Sequence, residues 1–255
     1  MIEIVISRYN EDLEWLLNKQ FSKYKIIVYN KGYNTNYIKL SNMTIVNINN
    51  VGRCDHTYLY HIIKNYNNLA DITVFLPGSC DMDYKMYKTN ILLKTINKYN
   101  KAVFLYESKF NNVQLDLYDF KLELYTASNI KNKLVNPESM LKLALIRPYG
   151  NWYKSKFNNI IINYVSYYGI FSIAKKDILQ YPLIYYNNLI TELKFSSNPE
   201  VGHYFERSWE AVFYPMNNTL KISYNNIQKY YFIIFIIFII IIIVCYFIYY
   251  IINKI

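Results

Sequence analysis

Residues 72–76 read ITVFL and stop at Pro77–Gly78. A run this continuously apolar suits a strand that is covered on both faces, so it belongs inside a sheet with helices above and below it. Pro–Gly then ends the run abruptly. Shorter runs of the same kind stand at Ile2–Ser7, Lys25–Tyr29, Thr44–Ile48 and Ala102–Tyr106. Helical spacing lies between them. Leu59, Ile62, Ile63 and Tyr66 form an i, i+3, i+4, i+7 stripe, and a second helix is expected over Tyr84–Tyr99. Asn10 offers an N-cap to an earlier helix, with Glu11 and Asp12 in its first turn and Leu13, Leu16, Leu17 and Phe21 on one face. Strands that alternate with helices from the first residue predict an α/β fold with a mainly parallel, Rossmann-like sheet flanked by helices.

Beyond residue 110 the pattern changes. Phe120–Leu124 alternates like a half-buried strand, and Glu138–Ile146 looks helical. Arg147–Phe157 reads as an aromatic, cationic loop. Ile170–Ala174 suits a strand, Lys176–Gln180 a helical turn and Pro182–Leu193 a helix. HYFERSWEAVFYP closes the domain as a helix with Phe205, Trp209, Val212 and Phe213 on one side.

Tyr230–Ile252 contains no charged residue. At 1.5 Å per residue such a helix spans roughly 34 Å, against a hydrocarbon core of about 30 Å. Tyrosines mark both ends, and Lys229 and Lys254 bracket it, as a membrane-spanning helix requires. The N-terminus has neither a basic n-region nor a long apolar core, so no signal peptide is expected. The expected organisation is an α/β domain over 1–215, a juxtamembrane linker over 216–229 and a transmembrane helix over 230–252. That is a single-pass C-terminal anchor, and Lys221 and Lys229 favour a domain facing the cytosol. The sequons at Asn42 and Asn217 carry no weight on such a domain.

Composition adds limits. The 255 residues include 30 tyrosines, and isoleucine, asparagine and lysine abound, a mix that codons rich in A and T produce unaided. Three cysteines without metal spacing suit a reducing compartment. A formal charge of +10 favours anionic partners. The lysines are scattered, however, so nucleic acid is not the partner expected.

In parallel sheets ligands bind beyond the carboxyl ends of the strands. Those ends are Ser7–Arg8–Tyr9, Tyr29–Asn30–Lys31, Val51–Gly52–Arg53 and Pro77 to Asp83. Asp81 and Asp83 follow the buried strand, where two carboxylates one residue apart can hold a divalent cation, or simply be solvated loop acids. Arg53 beside Gly52 can meet a phosphate at a helix N-terminus, or serve as a surface arginine near a cap. Glu206 stands among aromatics, which suits a general base, or it pairs with Arg207. His56 and His61 are five apart and form no metal pair.

The segments VISRYNEDLEWL, VYNKG, NVGRCDHTYLYHIIKNYNNLADITVFLPGS, RPYGNWY and GIFSIAKKDILQYP…ERSWEAVF together resemble the family called domain of unknown function 3431, from Ile4 to about Phe213. The family's layout is similar to GT-A-type glycosyltransferases, which use nucleotide-sugar donors. The resemblance implies Ser7, Arg8, Tyr9 and Glu11 around the nucleotide and Arg53 near the diphosphate. It also implies Asp81 and Asp83 on Mn²⁺ or Mg²⁺, with Glu206, or Glu200, as the base. A catalytically inactive nucleotide- or sugar-binding scaffold on the same fold is the alternative.

Overall fold

The computed structural model describes residues 1–123, 140–158, 160–224 and 240–243. Its main sheet has five strands. β1 (Ile2–Arg8) lies at the centre, with β2 (Lys25–Asn30) and β3 (Met43–Asn47) on one side and β4 (Ile72–Pro77) on the other. These four are parallel. Residues 72–76 are all buried, as a strand covered on both faces should be. α1 (Arg53–Lys64) connects β3 to β4, and α2 (Asp83–Tyr99) leads to β5 (Ala102–Tyr106).

The sheet is mixed rather than uniformly parallel. The next strand beyond β4 is β8 (Phe171–Ala174), and it runs antiparallel. β5 approaches the far side of β8, where Ser172 Oγ accepts from Val103 N (2.7 Å) and donates to Val103 O (3.0 Å). A side chain thus stands in for ladder bonds there. β5 also pairs with β9 (Thr219–Ser223), and β6 (Ser108–Lys109) pairs with β7 (Tyr164–Val165). The remaining helices are α3 (Val113–Asp116), α4 (Tyr149–Phe157), α5 (Lys175–Leu179), α6 (Leu183–Ile190) and α7 (Glu200–Val212).

A column of rings joins sheet to helices: Tyr58 on Phe75 (4.6 Å between centroids), Phe75 on Phe171 (5.3 Å) and Phe171 on Trp209 (5.1 Å). Buried tyrosines keep their hydroxyls bonded. Tyr58 donates to Gly169 O, Tyr153 to Ile160 O and Tyr186 to Ile178 O. A tyrosine-rich chain can therefore build a core without stranding polar atoms.

Four expectations need correction. The segment after Asn10 is not an α-helix but two 3-10 turns, Glu14–Leu17 and Lys19–Phe21. Leu13 takes a left-handed φ of 63°, Trp15 turns in to donate to Gly78 O (2.9 Å), and Leu17 is left exposed. Phe120–Glu123 is not a strand, and Leu124 lies outside the described residues. The carbonyls of Phe120 and Tyr118 accept from Tyr149 and Gly150, at the start of α4. The supposed loop 147–157 is itself that helix, opened by Pro148 and burying Tyr149, Trp152, Tyr153 and Phe157. Met140–Ile146 is extended, because Lys142 exchanges backbone bonds with Asn198 and Glu200. Residues 138 and 139 are outside the described set.

The compact unit runs from Met1 to Ile222, and β9 falls within the stretch expected as linker. The expected transmembrane segment, 230–252, lies outside the described residues except for 240–243. Among the described residues no helix is long and apolar enough to cross a membrane.

Candidate functional site

From β1 the chain moves outward through β2 and β3, then returns across to β4. The switch point therefore lies beyond the carboxyl ends of β1 and β4, where neighbouring connections depart in opposite directions and sheets of this kind place their ligand crevice. The end of β1 is tightly bonded. Gly78 N donates to Ser7 O (2.7 Å), tying the two strand ends together. The Glu11 carboxylate accepts from Tyr9 N (2.7 Å) and Asn10 N (3.2 Å). A Cβ at Gly78 would lie 2.6 Å from Glu11 Oε2, and one at Gly32 would lie 1.4 Å from Tyr9 O. Both glycines permit backbone approaches that no side chain allows.

Arg8 is fully buried. Its Nε donates to Glu11 O (2.7 Å), and its Nη1 donates to Asn30 Oδ1 (2.5 Å) and Tyr9 O (3.3 Å). Tyr37 covers it, with its ring centroid 3.9 Å from Cζ. Nη2 is buried without a hydrogen-bond partner. Burial lowers the guanidinium's pKa, with Glu11 opposing. Ser7 Oγ meets Thr57 Oγ1 at 2.8 Å, joining β1 to α1. Ser7, Arg8, Tyr9 and Glu11 thus share one strand end, but most of their polar atoms hold the turn itself.

A second group gathers where α1 begins. Gly52 (φ 60°) and Arg53 (φ 53°) both take left-handed backbone, so the chain turns sharply into the helix. Lys31, buried at the end of β2, donates from Nζ to Val51 O (2.6 Å) and to Arg53 O. Burial pushes its ammonium down to about 7. Arg53 Nη1 donates to Asn198 Oδ1 (3.0 Å). The arginine stem crosses α7 at Gly202, where a Cβ would come 3.2 Å from Arg53 Cδ and 3.3 Å from Asp55 Oδ2.

Asp55 is buried and accepts from Trp209 Nε1 (3.2 Å). Burial first, and the Glu206 charge second, raise its pKa to about 7, against the Arg53 guanidinium. Glu206 keeps part of its side chain exposed. Its Oε1 accepts from Tyr168 N (2.7 Å), and its Oε2 lies 3.5 Å from Arg207 Nη1. Burial also raises the Cys54 thiol. Nearby, fully buried Lys88 reaches Glu107 (2.6 Å), Ser166 Oγ (2.9 Å) and Tyr167 O (2.8 Å). Glu206 favours the charged form of Lys88, although burial dominates and lowers that ammonium.

The other expected residues are placed as follows. Glu200, first residue of α7, is sealed from solvent. It accepts from Leu122 N (2.9 Å), Ala144 N (2.9 Å), Arg147 Nε (3.0 Å) and Tyr204 OH (2.9 Å). Asp81 is exposed in the turn after β4, and exposed Asp83 opens α2, where an acid suits the helix dipole. Among the described residues no group of three or more His, Cys, Asp or Glu side chains could hold a metal ion. Two exposed carboxylates fit a cation that draws its other ligands from water and a substrate phosphate. His56 and His61 are both buried, and burial depresses each to about 3.

Lys31 was expected only as part of the strand end Tyr29–Asn30–Lys31, and Asp55, Lys88 and Tyr168 carry no expectation from sequence. Lys31 and Asp55 stand inside VYNKG and GRCDH, and their nearness to Gly32 and Gly52 was the available signal. Lys88 and Tyr168 offered none. A family model described as protein of unknown function (DUF3431) matches residues 4–226. The chain belongs to the DUF3431 family. The match takes in the main sheet from Ile4 onward and both groups of the candidate site, so the switch point belongs to the part of the chain that matches DUF3431. No curated protein matches the chain.

Proposed function

We propose that this DUF3431 protein is glycosyltransferase-like and takes a sugar from a nucleotide-diphosphate-sugar donor bound in the crevice between β1 and β4. The observation that carries the proposal is the convergence, at one switch point, of a buried arginine, a left-handed Gly52–Arg53 turn into a helix N-terminus and a partly exposed acid on α7. Nucleotides and phosphates are bound at such points in open α/β sheets. In this reading the nucleotide lies by Ser7, Arg8, Tyr9 and Glu11, and the diphosphate lies near Arg53. Asp81 and Asp83 hold Mn²⁺ or Mg²⁺, which supplies charge to the leaving diphosphate.

Glu206 is the preferred base. It retains exposed surface, whereas all the acceptor capacity of Glu200 faces donors already in place. The acceptor hydroxyl attacks the anomeric carbon as its proton passes to Glu206. The bond from that carbon to the diphosphate oxygen breaks, and the electron pair leaves with the diphosphate. The segment 230–252 tethers the domain to a membrane, with the domain in the cytosol.

A second reading, an inactive binding or scaffold protein, is favoured by the number of site atoms held in internal bonds at Ser7, Arg8 and Glu11. The test is thermal stabilisation and turnover of the full-length chain, in detergent, with UDP-, GDP- and CMP-sugars, with and without Mn²⁺. Turnover that Glu206→Gln abolishes while donor binding survives supports the transferase. Binding without turnover supports the scaffold. Failure of every donor to stabilise a folded sample overturns both. A metal-independent shift removes the role given to Asp81 and Asp83.

A further inference from the structure

A separate cleft of about 550 Å³ lies between the end of β3, one face of α1 and α6. That volume falls within the range of small-molecule sites. His56, Tyr60, Ile63 and Lys64 recur at helical spacing along α1, so one stripe of the helix forms a wall. Asn47 and Asn49 stand at one rim, and Asn187 and Lys194 stand at the other.

Among the described residues no carboxylate lines this cleft. Among the described residues neither Lys64 nor Lys194 has a carboxylate partner; the one contact shown for Lys64 is with the Tyr60 ring, at 5.7 Å. Lys194 stands close enough to His56 for its charge to act on that ring. A concave wall bearing cations of one sign concentrates anions. His56 supplies the independent observation. It is nine-tenths buried, it lines the cleft, and its Nδ1 has no hydrogen-bond partner. Buried polar atoms are normally satisfied, so the His56 ring has hydrogen-bonding capacity left unused at the cleft wall. Burial keeps the ring neutral, which leaves one ring N–H to donate and one ring nitrogen to accept.

We infer that this cleft binds a small phosphomonoester whose carbon body carries hydroxyl groups. Lys64 and Lys194 meet the phosphate, and His56 bonds to it or to an adjacent hydroxyl. The three asparagines take the remaining hydroxyls, and Tyr60, stacked on His56 at 6.0 Å, offers a flat face for a sugar or inositol ring. The same chemistry is carried by a soluble sugar phosphate and by the phosphorylated headgroup of a membrane lipid.

The test is calorimetric titration of the full-length chain, in detergent, with glucose 6-phosphate, with inorganic phosphate and with glycerophosphoinositol 4-phosphate, the deacylated headgroup of a phosphoinositide. The comparison protein is Lys64→Gln/Lys194→Gln, in which both exposed side chains change without disturbing the core. Saturable binding of glucose 6-phosphate, tighter than that of inorganic phosphate and weakened roughly tenfold or more in the double variant, supports a soluble ligand. Binding of glycerophosphoinositol 4-phosphate that is tighter than that of glucose 6-phosphate and is lost in the double variant supports the headgroup. Absence of both, or binding unchanged in the double variant, overturns the inference. UDP-sugar stabilisation should be the same in wild type and double variant, so failure here is distinguishable from failure of the transferase proposal.

Discussion

Replacing Asp55 with asparagine should stabilise the protein, by an amount that grows with pH. The carboxyl is buried between α1 and α7, and its pKa is raised from 3.8 to about 7 by burial and by Glu206. An acid whose folded pKa exceeds its unfolded value holds its proton more tightly in the native state. Its contribution is complete below about pH 4 and is lost as pH rises through about 7. About three pKa units at 1.36 kcal/mol each give at most ~4 kcal/mol of lost stability by pH 8. Asparagine keeps an oxygen for Trp209 Nε1 and cannot ionise. Asp55→Asn should therefore gain up to ~4 kcal/mol over wild type near pH 8, and the difference should shrink towards zero near pH 4. Urea unfolding of both proteins across this range, followed by tryptophan fluorescence, measures it. The difference between the two proteins is the quantity to follow, because the buried histidines titrate in the opposite sense over nearly the same window. A difference independent of pH, or a variant less stable than wild type near pH 8, would refute the reasoning.

Glu200→Gln should lower stability, since an amide NH₂ replaces one of the two buried acceptor oxygens that face Leu122 N, Ala144 N and Tyr204 OH; denaturant titration reads the loss. Glu206→Gln should change stability by less than ~1 kcal/mol, because the amide oxygen can keep the bond from Tyr168 N, the contact with Arg207 is partly exposed, and the lost charge relieves Asp55 while it weakens the support of Lys88. Gly32→Ala should cost more than ~4 kcal/mol or prevent folding, visible as lost soluble expression, because a Cβ 1.4 Å from Tyr9 O cannot be relieved by moving a side chain. His56, His61 and His203 are held at about 3, 3 and 2 by burial, so their contribution is present above pH 6.5 and is lost as pH falls towards 3. Acid unfolding should show this loss, and His61→Gln should flatten the dependence; an unchanged slope would count against it.

The first half of the fold was legible because its signals are local. ITVFL before Pro77 could hardly be anything but an interior strand, and the bounds of β1, β2, β4 and β5 followed from similar runs. The errors cluster where tertiary bonds override local pattern. Alternation at Phe120–Leu124 suggested a strand, yet the Phe120 carbonyl is drawn to the start of α4. The apolar spacing of α4 was present in Tyr149, Trp152, Tyr153 and Phe157, but Arg147–Pro148 and Gly150 argued for a loop. Asn10 looked like a helix cap, and the demand of Trp15 for the Gly78 carbonyl broke that helix into two short turns. The strand ends at the switch point were readable. The acid from α7 and the lysine from β2 that meet at α1 were not, because sequence carries no distance between residues so far apart.

That meeting also bears on which carboxylate can act as a base. Four acids stand on or against α7; Glu210 is buried and already bonded by Asn163 N, Tyr164 N and Lys221 Nζ, and the other three stand in three different electrostatic settings. Glu200 has its oxygens committed to two backbone amides, an arginine and a tyrosine hydroxyl, and taking up a proton would break bonds that hold Leu122 and Ala144. Asp55, with its pKa raised to about 7, can carry a proton at neutral pH, but it is buried against Trp209 and Gly202, where an acceptor hydroxyl has no path. Glu206 alone among these three joins exposed surface to an orienting bond, from Tyr168 N, while electrostatically coupled to Asp55. The Glu206 charge is one of the causes that raise Asp55, so whatever changes that charge is felt at Asp55. Asp55→Asn would leave Glu206 without that coupled site. If the pair works as one unit, the pH dependence of donor-dependent turnover should shift in Asp55→Asn, while Glu200→Gln should lower stability and leave the profile where it was.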